Sequence, residues 1–362
     1  MKSVKRLYLP FGPYHPALEE PFKLDLELEG EKVKSATVRV GYNHKAVEYL
    51  LQRRDYLQGQ RLIERVCSIC TQAHSQCFVQ GVEKLARLDV PDRALYIRTI
   101  IFELNRIESH LLLLGVAAHL AGFDTLFMYT WYAREQIMDA LETLTGQRVQ
   151  YAVNTLGGVR RDIDEEKARF LLSKLNTTKK WLDKLKKVFV EEQTLKARTR
   201  EVGVLSREEA KKLCVVGPVA RASGVDWDIR RDDPYLVYDR LEFNVIMADE
   251  GDAYARFTVR LLETYESIRI IEQAVKSMPP GSLKADVGAV YPGETVSRVE
   301  APRGELIYYI RSNGTSTPER VKIRTPTIPN LYMLEQVVPG HRVADVPIIV
   351  GSIDPCLSCT DR

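Results

Sequence analysis

The chain has 362 residues, 45% of them apolar and 28% charged, an ordinary globular composition with enough apolar material for a sizeable core. Lys and Arg total 52 against 49 acidic residues, and a formal charge of +3 excludes a strongly basic nucleic-acid binder, so no nucleic acid is expected among its partners. With 21 glycines and 17 prolines, collagen-like and low-complexity chains are excluded too, and six cysteines are too few for a disulfide scaffold of this length.

In chain order, Met1 to Leu9 lacks the apolar stretch of a secretory signal. Pro10, Gly12, Pro13 and Pro16 make the next segment extended and turn-rich. Leu24, Leu26 and Leu28 alternate with Asp25, Glu27 and Glu29, which is strand period. A turn at Gly30 and a second strand over 36–41 complete a predicted hairpin. From Lys45 the pattern turns helical.

Asp92 is expected to cap a helix through Ile97, Ile100, Ile101, Leu104, Ile107, Leu111 and Leu114, closed by Gly122. Its most apolar part, Leu111 to Phe123, is interrupted by His119 and falls short of the about 20 residues that span a bilayer. Asp124 starts another helix, closed by Gly146. A third, over 164–192, sets Phe170, Leu171, Leu175, Leu182, Leu185 and Phe189 against many lysines, which read as a solvated face. A fourth runs over 252–278 and is ended by Pro279-Pro280-Gly281. Residues 305–310 form a predicted strand. So does the short apolar run 346–350, where Pro347 points to a strand start or an edge strand. The expected fold class is α+β, mainly α: a central long-helix bundle with small β-rich N- and C-terminal portions.

Four of the six cysteines fall into two pairs, Cys67-Ser-Ile-Cys70 and Cys356-Leu-Ser-Cys359. A Cys-x-x-Cys loop running into a helix N-terminus brings two thiolates onto one metal, and the dipole and free N–H groups there lower thiol pKa values. Two such pairs offer four sulfurs to zinc, nickel or iron. Structural zinc sites usually stitch a local loop of about 15–20 residues. Here some 285 residues separate Cys70 from Cys356, which favours a buried active site over a local staple. In a reducing compartment the thiols serve metal or redox chemistry rather than disulfides, and the cytoplasm is the expected location. Cys77 and Cys214 read as buried small apolar residues.

The segment Arg65-Val-Cys-Ser-Ile-Cys70 with His74 resembles the first nickel-binding motif of [NiFe] hydrogenase large subunits, and the ending Asp354-Pro-Cys-Leu-Ser-Cys-Thr-Asp-Arg362 resembles the second. The ending is similar to the energy-converting, membrane-bound (group 4) branch, which is related to the 49 kDa subunit of complex I. Segments at 10–16, 103–111, 157–162 and 300–305 extend the resemblance along nearly the whole chain.

The resemblance implies an enzyme, the catalytic subunit for 2H⁺ + 2e⁻ ⇌ H₂, with a Ni–Fe(CO)(CN)₂ centre. Cys67 and Cys356 would be terminal nickel ligands, and Cys70 and Cys359 would bridge nickel to iron. His74 would donate a hydrogen bond to a bridging thiolate. Glu20, in the Glu19-Glu20 pair, would be the proton acceptor. Arg303 would lie over the site, paired with Asp354. His15 and His44 would belong to a proton route or a membrane-side interface. Glu48 and Asp361-Arg362 are candidates for a second metal, Mg²⁺ or Fe²⁺. No further cysteine cluster can hold an iron–sulfur centre in this chain. The implied partners are therefore a small subunit with a proximal [4Fe–4S] cluster, ferredoxin-like Fe–S subunits and integral membrane ion-pumping subunits, which places the chain peripherally on the cytoplasmic side of the cell membrane.

Two departures stand out. Ser68 occupies a position that is usually glycine, so the loop is expected to adapt, because serine disfavours positive φ. Hydrogenase precursors usually carry a C-terminal extension cut after nickel insertion, and this sequence stops at Arg362, the expected cut point. Three readings follow: the hydrogenase; a complex I-like or sulfur-reducing subunit, although complex I subunits of this lineage lack the four cysteines; and a non-catalytic scaffold with zinc. A metal joining both pairs requires the two ends of the chain to meet. One integrated unit over 1–362 is therefore expected, with 1–60 β-rich, 61–280 a helix bundle and 281–362 an α/β part completing the site.

Overall fold

Alternating leucines put one apolar face on a strand, and burial of that face fixes its register. The computed structural model describes residues 6–362. Residues 1–5, part of the segment read as lacking a secretory signal, lie outside the described residues. Strands β1 (Arg6–Phe11), β2 (Lys23–Glu29) and β3 (Lys32–Arg39) form an antiparallel sheet with β2 in the middle. Leu24, Leu26 and Leu28 are all buried, and Gly30 takes a φ of 63° in the turn. The hairpin stands as expected, but its second strand begins at Lys32 and ends before Gly41. A register shift at Glu27/Leu28 lets Val33 pair with Leu28 and turn inward.

Short helices α1 (Val47–Leu51) and α2 (Tyr56–Ile63) lead to the first cysteine loop, and α3 (Thr71–Ala86) begins directly after Cys70. The bundle follows: α4 (Asp92–Leu120), α5 (Asp124–Thr145), α6 (Glu165–Glu191) and α7 (Ala253–Ser277). Most local signals for these helices hold, but Asp92 does not cap α4: Pro91 is the N-cap and Asp92 is the first helical residue, where its charge faces the helix N-terminus. Asp164 and Asp252 cap α6 and α7 by accepting from Lys167 N and Ala255 N, and Gly146 at φ 79° ends α5. α6 buries Leu171, Leu175, Leu182, Leu185 and Phe189 as expected, while Phe170 stays about a third exposed. α4 is buried on nearly every side, including Glu103, Arg106 and His110.

Strands β4 (Gly293–Ala301), β5 (Gly304–Ser312) and β6 (Arg320–Arg324) make a second antiparallel sheet, and the strand expected over 305–310 is the middle of β5. The run at 346–350 is not a strand. It opens the helix α8 (Val346–Ile353), followed by α9 (Leu357–Asp361). Pro347 sits in the first turn of α8, where its missing N–H costs no hydrogen bond, and an apolar run this short carries no period of its own. Val346, Ile349, Val350 and Leu357 share an apolar cluster with Leu24, Leu26 and Leu28; α8 itself packs on α4 and α7, while β3 meets the short helix Leu334–Val337. Cys77 is buried as expected, but Cys214 is exposed at the end of a short helix, with a φ of 53° that holds it in a tight turn. Among the described residues no helix is long and apolar enough to cross a membrane.

Candidate metal centre

The first cysteine loop is laid down by α2 and tied at both ends. Thr71 Oγ1 donates to Glu64 O at 2.7 Å, and Asn105 Nδ2, from α4, donates to Ile69 O at 2.6 Å. Cys70 N donates to Cys67 Sγ at 3.3 Å, which folds the two thiols to one side. Ser68 takes this turn without positive φ. The second loop repeats the device, with Cys359 N donating to Cys356 Sγ at 3.4 Å.

The fold brings the two loops together. Cys67 Sγ lies 3.2 Å from Cys356 Sγ, and Cys356 Sγ lies 3.1 Å from Cys359 Sγ. The sulfurs of Cys67, Cys70 and Cys359 are all within 4.8 Å of one another. All four thiols are buried and none forms a disulfide. Hydrogen bonding from Cys356 and the other thiols holds the Cys67 thiol well below its ordinary range, whereas burial and its bond to Cys356 push Cys359 well above it. Closely packed thiolates repel, so discharging all four requires a cation among them. The donor set therefore fits a soft or borderline metal.

Arg303 occupies the two-residue turn between β4 and β5. That turn is placed by contact between two glycines: a Cβ on Gly304 would come within 2.8 Å of Gly217 Cα, and one on Gly217 within 2.4 Å of Gly304 Cα. Arg303 Nη2 pairs with Asp354 Oδ1 at 2.6 Å, its Nε donates to Asp354 O at 2.9 Å, and its Nη1 donates to Cys70 Sγ and to Ser109 Oγ, each at 3.2 Å. Asp354 and the cysteine thiols keep the guanidinium protonated against the cost of burial. Asp354 ends α8 at φ 59°, a left-handed position that aspartate tolerates, and its Oδ2 has no partner.

His74, on α3, presents Nε2 to Cys359 Sγ at 3.3 Å and Nδ1 to Tyr308 Oη at 2.7 Å. Burial lowers the imidazole to about 4 and raises the Tyr308 phenol, so both are neutral. Tyr308 is then the donor to Nδ1, and the ring proton sits on Nε2, facing the sulfur. Tyr308 was not singled out from the sequence. The signal was available, since period-2 alternation through Leu306, Tyr308 and Ile310 turns a phenol inward that then needs a partner.

The two N-terminal glutamates separate. Glu20 accepts from Leu357 N, from Ser358 N at 3.0 Å and from Ser358 Oγ, so it holds the start of α9 between the second pair of cysteines. Glu19 lines a mainly apolar cavity with Leu18, Phe22, Leu113, Leu120 and Asp354. Desolvation and Asp354 push its carboxyl up to about 7, opposed by Arg303, and the solvent-exposed side of the residue tempers that rise. His15 is exposed and stacks on Phe11. His44 Nδ1 meets Asp361 O at 2.6 Å, while the Asp361 carboxylate accepts from Gly41 N and Asn43 N at 2.9 and 2.8 Å, which fastens the last helix to the loop after β3. Glu48 accepts from Ile323 N and pairs with Arg362, Lys322 and Arg320 at 3.1, 3.3 and 3.4 Å. Despite desolvation, the Ile323 amide and Arg362 hold its carboxyl below the usual range, and three cations already compensate it.

Beneath Arg303 lies an ionic network on the stripe that carries Glu103, Arg106 and His110. Arg106 donates to the carbonyls of Glu300 and Ala301, and Arg260 to those of Ser352 and Ile353. Two arginines thus hold the backbone just ahead of Arg303 and Asp354.

Two family models match. The model for the respiratory-chain NADH dehydrogenase 49 kDa subunit covers residues 121–292 and 287–362, and that for nickel-dependent hydrogenases covers 45–129, including the first cysteine pair. The chain belongs to the family that unites these large subunits. It is 42% identical to the membrane-bound hydrogenase subunit alpha of Pyrococcus furiosus, over 100% of this chain and 89% of that protein. To the carbon monoxide-induced hydrogenase of Rhodospirillum rubrum it is 41% identical, over 98% and 99%. An NADH-quinone oxidoreductase subunit of Dehalococcoides mccartyi is 40% identical, over 98% of each. Among solved structures, a chain of an archaeal membrane-bound sulfane sulfur reductase superposes with a TM-score of 0.95 at 33% identity, covering 100% of both chains. The mainly helical α+β fold is that of these large subunits, and the chain is an oxidoreductase-family subunit of the membrane-complex type.

Proposed function

We propose that the chain is the catalytic subunit of a membrane-associated energy-converting [NiFe] hydrogenase. The observation that carries this reading is the convergence of four unpaired, buried thiols from two loops some 285 residues apart, with one arginine donating to Cys70. Cys67, Cys70, Cys356 and Cys359 would hold a Ni–Fe(CO)(CN)₂ centre, which when bound supplies the redox-active open position for heterolytic H₂ cleavage.

The chain's own residues do the rest. Arg303 holds positive charge over the thiolates and excludes water from that side. Neutral His74 keeps an N–H on the Cys359 sulfur, with its tautomer fixed by Tyr308. Glu20, braced on Ser358 beside Cys359, takes up and releases a proton at its carboxylate, and Glu19 carries it toward solvent along the cavity wall. Electrons pass to a small partner subunit with a proximal [4Fe–4S] cluster and on to ferredoxin-like subunits, while integral membrane subunits move ions. This places the chain on the cytoplasmic side of the membrane.

Likeness to the sulfane sulfur reductase favours one second reading, a sulfur-reducing subunit on the same scaffold. Metal analysis with infrared spectroscopy separates the two. About one nickel and one iron per chain with CO and cyanide bands is expected for the hydrogenase. Zinc alone, or metal without those bands, would overturn the reading.

A further inference from the structure

Not every lysine of α6 belongs to a plain solvated face. The nine residues Lys179-Lys-Trp-Leu-Asp-Lys-Leu-Lys-Lys187 carry five lysines against one aspartate. Asp183 is already engaged, accepting from Tyr265 Oη at 2.9 Å. Among the described residues, Lys179, Lys180, Lys184 and Lys187 form no ion pair; Lys184 Nζ lies instead 4.4 Å from the Trp181 ring centre.

Against this stretch stands the first half of α5, which exposes Met128 at 64%, Tyr129 at 49% and Tyr132 at 56%. Tyr129 and Tyr132 flank Trp181, with ring centres 5.7 and 5.0 Å away. A water-facing helix gains nothing from such side chains. Aromatic rings with polar tips, ringed by long unpaired lysines, are suited to an anionic lipid surface. There the rings settle at headgroup level and the lysine stems lie along them, with their charge in the phosphate layer. The last turns of α4, whose Leu113 and Leu120 line the cavity that reaches Glu19 and Asp354, adjoin this end of α5 through Gly122-Phe123.

We infer that the α5–α6 face bearing Tyr129, Tyr132, Trp181, Lys180 and Lys184 rests on the anionic headgroups of a bilayer. This goes beyond peripheral association by naming the face, and it does not depend on which metal the cysteines hold.

Sedimentation of the full chain with phosphatidylcholine vesicles, and with equimolar phosphatidylcholine–phosphatidylglycerol vesicles, tests it. Wild type is expected to partition onto the anionic vesicles only, less so at high salt, with a blue shift of tryptophan emission. Lys180→Gln/Lys184→Gln is expected to bind about 25-fold more weakly, at about fivefold per lysine, with an unchanged circular dichroism spectrum. Tyr129→Ser/Tyr132→Ser should weaken binding while leaving its salt dependence. Equal partition onto both vesicles, wild-type binding by the lysine variant, or capture by an acidic partner subunit without vesicle binding would each overturn the assignment.

Discussion

Arg303 and Asp354 meet at 2.6 Å although 51 residues apart, each on a tight turn whose preceding carbonyls are gripped by a buried arginine. Arg106 fixes the end of β4, Arg260 fixes the end of α8, and the pair closes between them, with Arg303 on Cys70.

Truncating one partner of this pair leaves the other charge buried and uncompensated. Asp354→Ala is therefore expected to destabilise the chain by about 3–5 kcal/mol in denaturant unfolding, and Asp354→Asn by less, since the amide oxygen still accepts from Arg303. If the alanine variant unfolds at the wild-type midpoint, the pair is solvated.

For the cysteines, Cys359→Ser is expected to abolish H₂ turnover and to lower nickel content if Cys359 is a metal ligand, because a buried alcohol stays protonated where the thiol would ionise. Unchanged turnover in a metal-replete preparation would refute a bridging role for Cys359.

Tyr308→Phe deletes the donor to His74 Nδ1 and frees the ring to place its proton on either nitrogen. Loss of such an outer partner typically costs about 10–100-fold in metal affinity or activity. Both are measurable in the variant by metal titration and by H₂ turnover at full loading, against an unchanged fold.

The long helices were legible because each carries an aspartate at or just before the first turn and apolar residues at three and four, and all but α6 have glycine or proline after the last turn. The cysteine loops were legible because a Cys-x-x-Cys pair is defined by local spacing alone. What escaped depended on the rest of the molecule. Residues 346–350 are apolar on all sides, so tertiary packing, here against α4 and α7, decides helix over strand. Tyr308 acquires its role from a histidine 234 residues away. Glu20 was singled out through the resemblance alone, since its bond to Ser358 exists only after the two ends have met.

The ionic network predicts a pH dependence. Arg106, Arg221 and Arg230 face four carboxylates, Glu103, Asp228, Glu263 and Glu300, while burial keeps His110 neutral. Arg221 is shared among Glu263, Asp228 and Glu300. Burial, with Asp228 nearby, pushes Glu300 up to about 7 even though Arg221 lies 2.8 Å away. The unfolded chain releases that proton near its ordinary value of 4.5 while the folded chain keeps it to about 7. Stability from this group therefore falls as pH rises across that window and is flat above it. Glu300→Gln removes the decline, so the difference in unfolding midpoint between variant and wild type should grow from about pH 5 to about pH 8. A constant difference would mean that Glu300 is ionised throughout.

Glu20→Gln separates a proton-handling role from a structural one. The carboxylate accepts from Leu357 N and Ser358 N at the start of α9 and from the Ser358 hydroxyl. Glutamine keeps one acceptor oxygen and loses the negative charge at the helix start, a loss of about 1 kcal/mol. If Glu20 only braces the helix, the variant shows that small loss in unfolding and exchanges H₂ with D₂O at nearly the wild-type rate. If it passes the proton, exchange falls by about 10²-fold or more while nickel content and infrared bands stay in place, because an amide at this position cannot cycle a proton. The second outcome is expected, since Ser358 seats the carboxylate one residue from Cys359 and Glu19 continues from it along the cavity wall. Glu19→Gln should then show a milder decrease of the same kind, whereas a larger effect at Glu19 than at Glu20 would reverse their order in the relay.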